Sequence, residues 1–241
     1  MKEKRAIVTL CIGETADGFA RYSHPAMNLY ANKVHADFVK LDQPKINFNA
    51  PTHFRPVLFE KYQVYDVLEA YDRVLFLDTD ILITPRAPDI FKVVPRGKIG
   101  GVFEDFGTEE EHRRILIRKV QEALGDIGWK EGFMNSGVFI VSKMHRNAFR
   151  LFKEYGFYDG EYEQTNTNWY MRKAGCEIVN IDYRFNFMGL MRVYYGPMHR
   201  DAYFIHYAGG GIFPWVPRIE QMKNDYEFFY ESKNTKSFED T

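Results

Sequence analysis

Between positions 73 and 83 the chain reads RVLFLDTDILI, an apolar run broken only by Asp78, Thr79 and Asp80. A continuous apolar run suits a strand buried on both faces, which occurs where helices cover a sheet. Two carboxylates inside such a run are costly unless a cation meets them. In extended backbone, residues i and i+2 point to the same side. Asp78 and Asp80 therefore converge on one point just past the strand's carboxyl end. Hard oxygen donors there suit Mg²⁺ or Mn²⁺, with coordination positions left for phosphate oxygens and water. Two other readings stay open. One is a simple turn, where Asp is common. The other is the aspartyl-nucleophile phosphatase pattern, which wants Thr or Val two residues after the second acid and a following Gly. This chain has Leu82 at that place and no such Gly.

The rest of the chain supplies the alternation such a sheet needs. Strands are expected at 6–12, 38–41, 73–77, 81–83, 99–103, 138–142, 177–181 and 203–207. Helices are expected at 19–33, 56–70, 112–124, 164–174 and 218–230. The 56–70 helix has the clearest apolar period, at Leu58, Tyr62, Tyr65 and Leu68, with Pro56 suited to a first turn. Pro25 argues for a break or a late start in the first helix, and residues 44–53 read as loop. This pattern predicts an α/β fold, a mainly parallel twisted sheet flanked by helices, with ligands beyond the strands' carboxyl ends. No linker divides the chain, so residues 1–241 read as a single domain.

Charge narrows the partners. Lys and Arg total 32 against 33 Asp and Glu. That balance argues against a nucleic-acid partner held by counterion release and against a polybasic membrane anchor. No run approaches the length of a membrane-spanning helix, and the start is too short for a signal segment. With only two cysteines, Cys11 and Cys176, both in apolar surroundings suited to buried free thiols, a reducing, cytoplasmic setting is expected. Aromatics make up 17% of residues, enough either for an aromatic core or for a cleft that stacks flat ligands.

Residues 71–80 (YDRVLFLDTD) resemble the DxD segment of nucleotide-sugar glycosyltransferases with a GT-A fold, especially the glycogenin/galactinol-synthase-like retaining group. Three further segments match in order. FMNSGVFI at 133–140 resembles the group's F-N-S-G-V-F strand, Glu163-Gln164-Thr165 its D-Q helix start, and His206 in FIHYAG its H-F-x-G turn. The resemblance implies a metal-dependent transfer of a sugar from a nucleotide-diphosphate donor, UDP above all, to a carbohydrate or other hydroxyl acceptor, with retention. It implies a site of Asp78, Asp80 and His206 for the metal, whose mixed N/O character favours Mn²⁺ over Mg²⁺. It implies that Thr9, Leu10 and Cys11 line the nucleotide pocket, that Asp78 binds the metal or holds the ribose, that Thr79 belongs to the same nucleotide-binding set, and that Lys61 lies near the donor or the acids. Asn135, Ser136, Glu163 and Gln164 would face the donor sugar, Glu163 replacing the group's usual Asp. The group often carries K-P-W after the His turn. Here Phe213-Pro214-Trp215 lacks that Lys, leaving Arg218 and the backbone of Gly209–Gly211 to meet the diphosphate. Residues 157–162 and 185–195 would form the acceptor side.

Two rivals follow from the same residues. A sugar-phosphate nucleotidyltransferase shares the fold but would carry a basic, Gly-rich N-terminal loop, and residues 12–18 hold no Lys or Arg. A non-catalytic carbohydrate-binding protein would need no intact acids and imidazole. His24, His35, His53, His112, His145 and His199 show no partner pattern and read as surface or packing residues.

Overall fold

The computed structural model describes residues 3–46, 56–159 and 163–232. Within them, the chain runs β1 (Arg5–Leu10), α1 (Glu14–Lys33), β2 (Asp37–Leu41), α2 (Pro56–Phe59), α3 (Val64–Ala70), β3 (Arg73–Asp78) and β4 (Ile81–Ile83). It continues through α4 (Ile90–Val93), β5 (Ile99–Phe103), α5 (Glu110–Leu124), β6 (Met134–Ser142), α6 (Phe152–Tyr155) and α7 (Glu163–Lys173). It ends with β7 (Ile178–Asn180), α8 (Gly189–Tyr195), β8 (Phe204–His206) and α9 (Arg218–Tyr226).

Six strands form one sheet in the order β2-β1-β3-β6-β5-β7, and β4 pairs with β8 in a second, two-stranded sheet. All of the six run one way except β6, which is antiparallel to both β3 and β5. The sheet is mainly parallel, as the alternation of elements predicts. Successive residues along each strand enter opposite cores. Leu75, Leu77, Val138 and Ile140 join the core under α1 and α9, whereas Val74, Phe76, Phe139 and Val141 join the core under α5 and α7. The aromatics mostly fill these cores: Tyr62, Phe76, Phe133, Phe139 and Trp169 are fully buried.

Helix α1 starts earlier than expected and passes through Pro25 without a break. Proline removes one N–H and frees the carbonyl four residues back. Both Pro25 and Arg21 lie on the exposed side, where that carbonyl is open to solvent. Meanwhile Phe19, Ala26, Met27, Tyr30 and Ala31 bury the opposite face. The stretch 56–70 departs the other way. It is two short helices joined by a 3₁₀ turn, Glu60–Gln63, all four residues of which are buried. The Glu60 carboxylate accepts the N–H of Lys45 at 2.9 Å and of Ile46 at 3.1 Å. Apolar periodicity registers only Tyr62 of that turn, because the other three buried residues, Glu60, Lys61 and Gln63, are polar ones with partners remote in sequence. Strand β6 begins at Met134, four residues before the expected 138, since Asn135 and Ser136 are buried in it. Of the expected 44–53 loop, residues 47–53 lie outside the described residues.

The α9 end of the core shared with α1 is tied down by a buried carboxylate. Asp225 accepts from Tyr207 Oη at 2.8 Å and Arg200 Nε at 2.8 Å, and lies 3.1 Å from His199 Nε2. Burial presses its pKa upward, but His199, Arg200 and Tyr207 outweigh it and hold it below the ordinary carboxylate value. A depressed folded pKa gives stability that is complete above the unfolded value of ~3.9 and fades as pH falls through the folded value. Asp225→Asn is therefore expected to cost about 2 kcal/mol in urea unfolding at pH 7. That difference shrinks in melts below pH 4, and an equal difference at both pH values would contradict the pairing.

Candidate active site

A cleft of about 690 Å³ opens beyond the carboxyl end of β3, where a parallel sheet places its ligands. Asp78 ends β3 on the same face as Val74 and Phe76, so it meets the layer that holds the Glu60–Gln63 turn. Lys61 lies there with no exposed surface, its Nζ 5.2 Å from the centre of the Phe76 ring. The ammonium is 2.5 Å from Glu163 Oε1 and 3.5 Å from Asp78 Oδ1, and donates to Ser136 Oγ at 3.1 Å. The Ser136 hydroxyl donates to Glu163 Oε1 at 2.8 Å. Burial presses the Lys61 pKa down, yet Asp78 and Glu163 overcome it and the value is raised. Asp78 is pushed up, first by burial and then by Asp80, beyond what Lys61 offsets.

Asp80 sits in the turn between β3 and β4. Its Oδ1 is 3.3 Å from His206 Nε2 and its Oδ2 accepts from Arg218 Nη1 at 2.9 Å. Burial opposes ionisation of Asp80, but His206 and Arg218 prevail and its pKa is lowered. His206 is shifted up in return: burial opposes its charge and Asp80 overcomes that. The sequence brings these residues together through the small sheet. Ile81 on β4 pairs with His206 on β8, and Tyr207 N–H donates to the Asp80 carbonyl at 2.9 Å.

Ligand atoms of Asp78, Asp80 and His206 all lie within 4.8 Å of one another. The group fits a divalent cation. Two carboxylate oxygens and one imidazole nitrogen form a mixed set of the kind Mn²⁺ accepts. Gly137 in β6 leaves the room for it. A Cβ there would stand 2.3 Å from His206 Cε1 and 3.0 Å from Asp78 Oδ2.

Beside this group the cleft is lined by a hydrogen-bonded network. Asn135 Nδ2 donates to Glu104 Oε2 at 2.9 Å, and Gln164 Nε2 donates to Glu104 Oε1 at 2.8 Å. Arg113 pairs with both Glu104 and Glu109. Each described carboxylate lining the cleft thus has a cationic or imidazole neighbour: Lys61 for Asp78 and Glu163, His206 and Arg218 for Asp80, Arg113 for Glu104 and Glu109. Sequence reasoning missed Glu104, although an acid closing the apolar run 99–103 is the same signal that marks Asp78. It also missed Asn186, and it read His112, which lines the cleft, as a surface or packing residue.

The other expected residues fall at different depths. Thr9 is fully buried, Leu10 stands in register opposite Asp78, and Cys11 is half-buried beside Asp17. Cys176 is also half-buried, so neither thiol is as enclosed as its apolar neighbours suggested. Thr79 spends its hydroxyl on the Leu10 carbonyl, which ties the acidic turn to β1. Gly209 and Gly211 take positive φ, 58° and 75°, and line the cleft with Arg218. The Gln221 side chain fixes that turn, accepting from Ile212 N–H at 2.8 Å and donating to Val216 O at 2.6 Å. From the 185–195 stretch, Met188, Gly189 and Leu190 reach the cleft. In 157–162, Phe157 packs on Phe59 with ring centres 4.7 Å apart, and residues 160–162 lie outside the described residues. None of the cleft's described lining residues is Phe, Tyr or Trp, so the aromatic richness serves the cores.

Comparison with known proteins bears on this arrangement. The sequence model of glycosyl transferase family 8 matches residues 20–217. No curated protein matches the sequence. Among solved structures, a glycosyltransferase involved in the glycosylation of the major capsid of PBCV-1 aligns with TM-score 0.60 and 17% identity over 92% of this chain and 98% of that one. Galactosyltransferase LgtC, solved in complex with donor and acceptor sugar analogs, aligns with TM-score 0.56 and 15% identity over 93% and 96%. An active-site mutant of LgtC gives 0.63 and 14% over the same shares. These likenesses establish the GT-A fold, and the family match covers most of the chain. The chain belongs to glycosyl transferase family 8 and is a glycosyltransferase.

Proposed function

We propose that this chain, acting as one unit over residues 1–241, transfers a hexose or related sugar from a nucleoside-diphosphate donor to a hydroxyl acceptor, with a divalent metal, Mn²⁺ foremost. The observation that carries the reading is the convergence of Asp78, Asp80 and His206 at the mouth of the cleft. UDP as the nucleotide and retention at the anomeric carbon rest on the family and on the motifs it shares with this sequence. The two free cysteines support a cytoplasmic setting. Among the described residues no helix is long and apolar enough to cross a membrane.

The residues divide the work by position. Asp78, Asp80 and His206 hold the cation, which when bound supplies positive charge against the leaving diphosphate. Arg218 and the N–H groups of Gly209–Gly211 meet the phosphate oxygens. Thr9, Leu10 and Cys11 border the nucleotide, with Thr79 bracing that edge. Asn135 and Gln164, oriented by Glu104, hold the sugar hydroxyls. Glu163, held with Ser136 by Lys61, places negative charge below the anomeric carbon as it gains oxocarbenium character. The acceptor enters past Met188, Gly189 and Leu190.

A thermal-shift panel of nucleoside diphosphates with Mn²⁺ tests the reading. UDP with Mn²⁺ at about 100 times its Kd is expected to add ~2.7 kcal/mol of stability, removed by chelator. Stabilisation by nucleoside triphosphates alone would point to a nucleotidyltransferase, and no response would point to a non-catalytic fold.

A further inference from the structure

One buried chain of hydrogen bonds connects the sugar side of the cleft to the back of His206. Its polarity follows from which groups can donate. Glu104 accepts from the Asn135 side-chain amide at 2.9 Å, and that is the orientation an ionised carboxylate requires. Asn135 must then turn its Oδ1 the other way. There it accepts from Gly137 N–H at 3.0 Å, a backbone donor that demands an oxygen, and from Asn186 Nδ2 at 2.9 Å. With its amide committed to Asn135, Asn186 offers Oδ1 to His206 Nδ1 at 2.8 Å. Nδ1 must therefore carry hydrogen, and Nε2, which faces Asp80, is the nitrogen left to ligate. Asn186 has no exposed surface, and Asn135 is 7% exposed.

We infer that Asn186 is a positioning residue for the metal centre, fixing the ring orientation and the Nδ1–H tautomer of His206, with the direction imposed by Glu104 through Asn135. It rests on the reading of Asp78, Asp80 and His206 as cation ligands. Without Asn186 the imidazole is free to rotate, or to keep its hydrogen on Nε2, and either change removes a ligand. Partners that orient a ligating histidine in this way typically change metal affinity 10–100-fold. The same chain makes the sugar-facing Asn135 and the metal-facing His206 share one hydrogen-bond register, so a disturbance at Asn186 reaches both.

The test is the Mn²⁺ affinity of the purified chain, measured by electron paramagnetic resonance of free Mn²⁺, with urea unfolding of each variant alongside. Asn186→Leu keeps the volume and removes the acceptor. Its Mn²⁺ affinity is expected to fall about 10-fold or more. Asn186→Asp keeps an acceptor on Nδ1 but sets a carboxylate against Asn135 Oδ1. It is expected to be the less stable of the two and yet to retain wild-type Mn²⁺ affinity within a few-fold. A purely structural role would make affinity follow stability, with the Asp variant weaker, and that ranking overturns the inference. So does an unchanged affinity in Asn186→Leu. A wild-type chain that binds no Mn²⁺ at all overturns the metal reading itself, which separates the two failures.

Discussion

Asp80→Ala is expected to lower metal-dependent sugar transfer by roughly 10³-fold or more while the chain remains folded. The size follows from what is lost. A dication opposite a leaving diphosphate stabilises the transition state by several kcal/mol, and each 1.36 kcal/mol is tenfold in rate. The substitution removes one of the three proposed ligands outright, and it also frees Arg218 and His206 from their shared counter-charge. The fold should survive because the strand pairing here uses backbone. Tyr207 N–H donates to the Asp80 carbonyl, not to its side chain, and an Ala at 80 keeps that bond. The check is donor hydrolysis and transfer with and without chelator, together with circular dichroism. Chelated wild type should match the variant in either state of metal. Full activity of the variant, or of the chelated wild type, would remove the metal from the mechanism.

How much of this site could be read beforehand depended on the range of the interactions. Asp78 and Asp80 were legible because two acids in a buried strand contradict their immediate neighbours, a conflict visible within ten residues. His206 was legible only through its resemblance to a known turn, since its contact with Asp80 comes from the β4–β8 pairing. Asn186 offered no signal: its partners lie 51 and 20 residues away in sequence, and a lone Asn beside Phe185 and Phe187 looks like a turn residue. The reversed direction of β6 was equally silent, because a strand buried on both faces shows the same apolar run in either orientation. The fold class survived these gaps because burial of apolar runs is local to each element, whereas register and polar partners are set only when elements meet.

Lys61 shows what such a meeting is worth. Lys61→Met is expected to cost about 3–5 kcal/mol at pH 7, the range for removing one partner of a buried ion pair. The ammonium is the shared counter-charge of Glu163 and Asp78, and among the described residues the Glu163 carboxylate would keep the Ser136 hydroxyl alone. The sign with pH is fixed by linkage. In the wild type the raised Lys61 pKa gives stability that is complete below the unfolded value of ~10.4 and is lost only as pH rises through the folded value. In the variant, the uncompensated carboxyls bind protons more readily folded than unfolded, so its stability rises as pH falls from 7 toward 5 and the gap to wild type narrows. Activity should fall as well, since a protonated or displaced Asp78 is a poorer ligand. The double variant Lys61→Met/Glu163→Gln separates charge from packing. If the loss is uncompensated charge, removing the second charge restores most of the stability, because well-packed neutral groups replace buried ion pairs at little cost. If urea unfolding instead finds the two substitutions additive and independent of pH, Lys61 acts through its volume under Phe76, and the electrostatic account of the cleft floor fails.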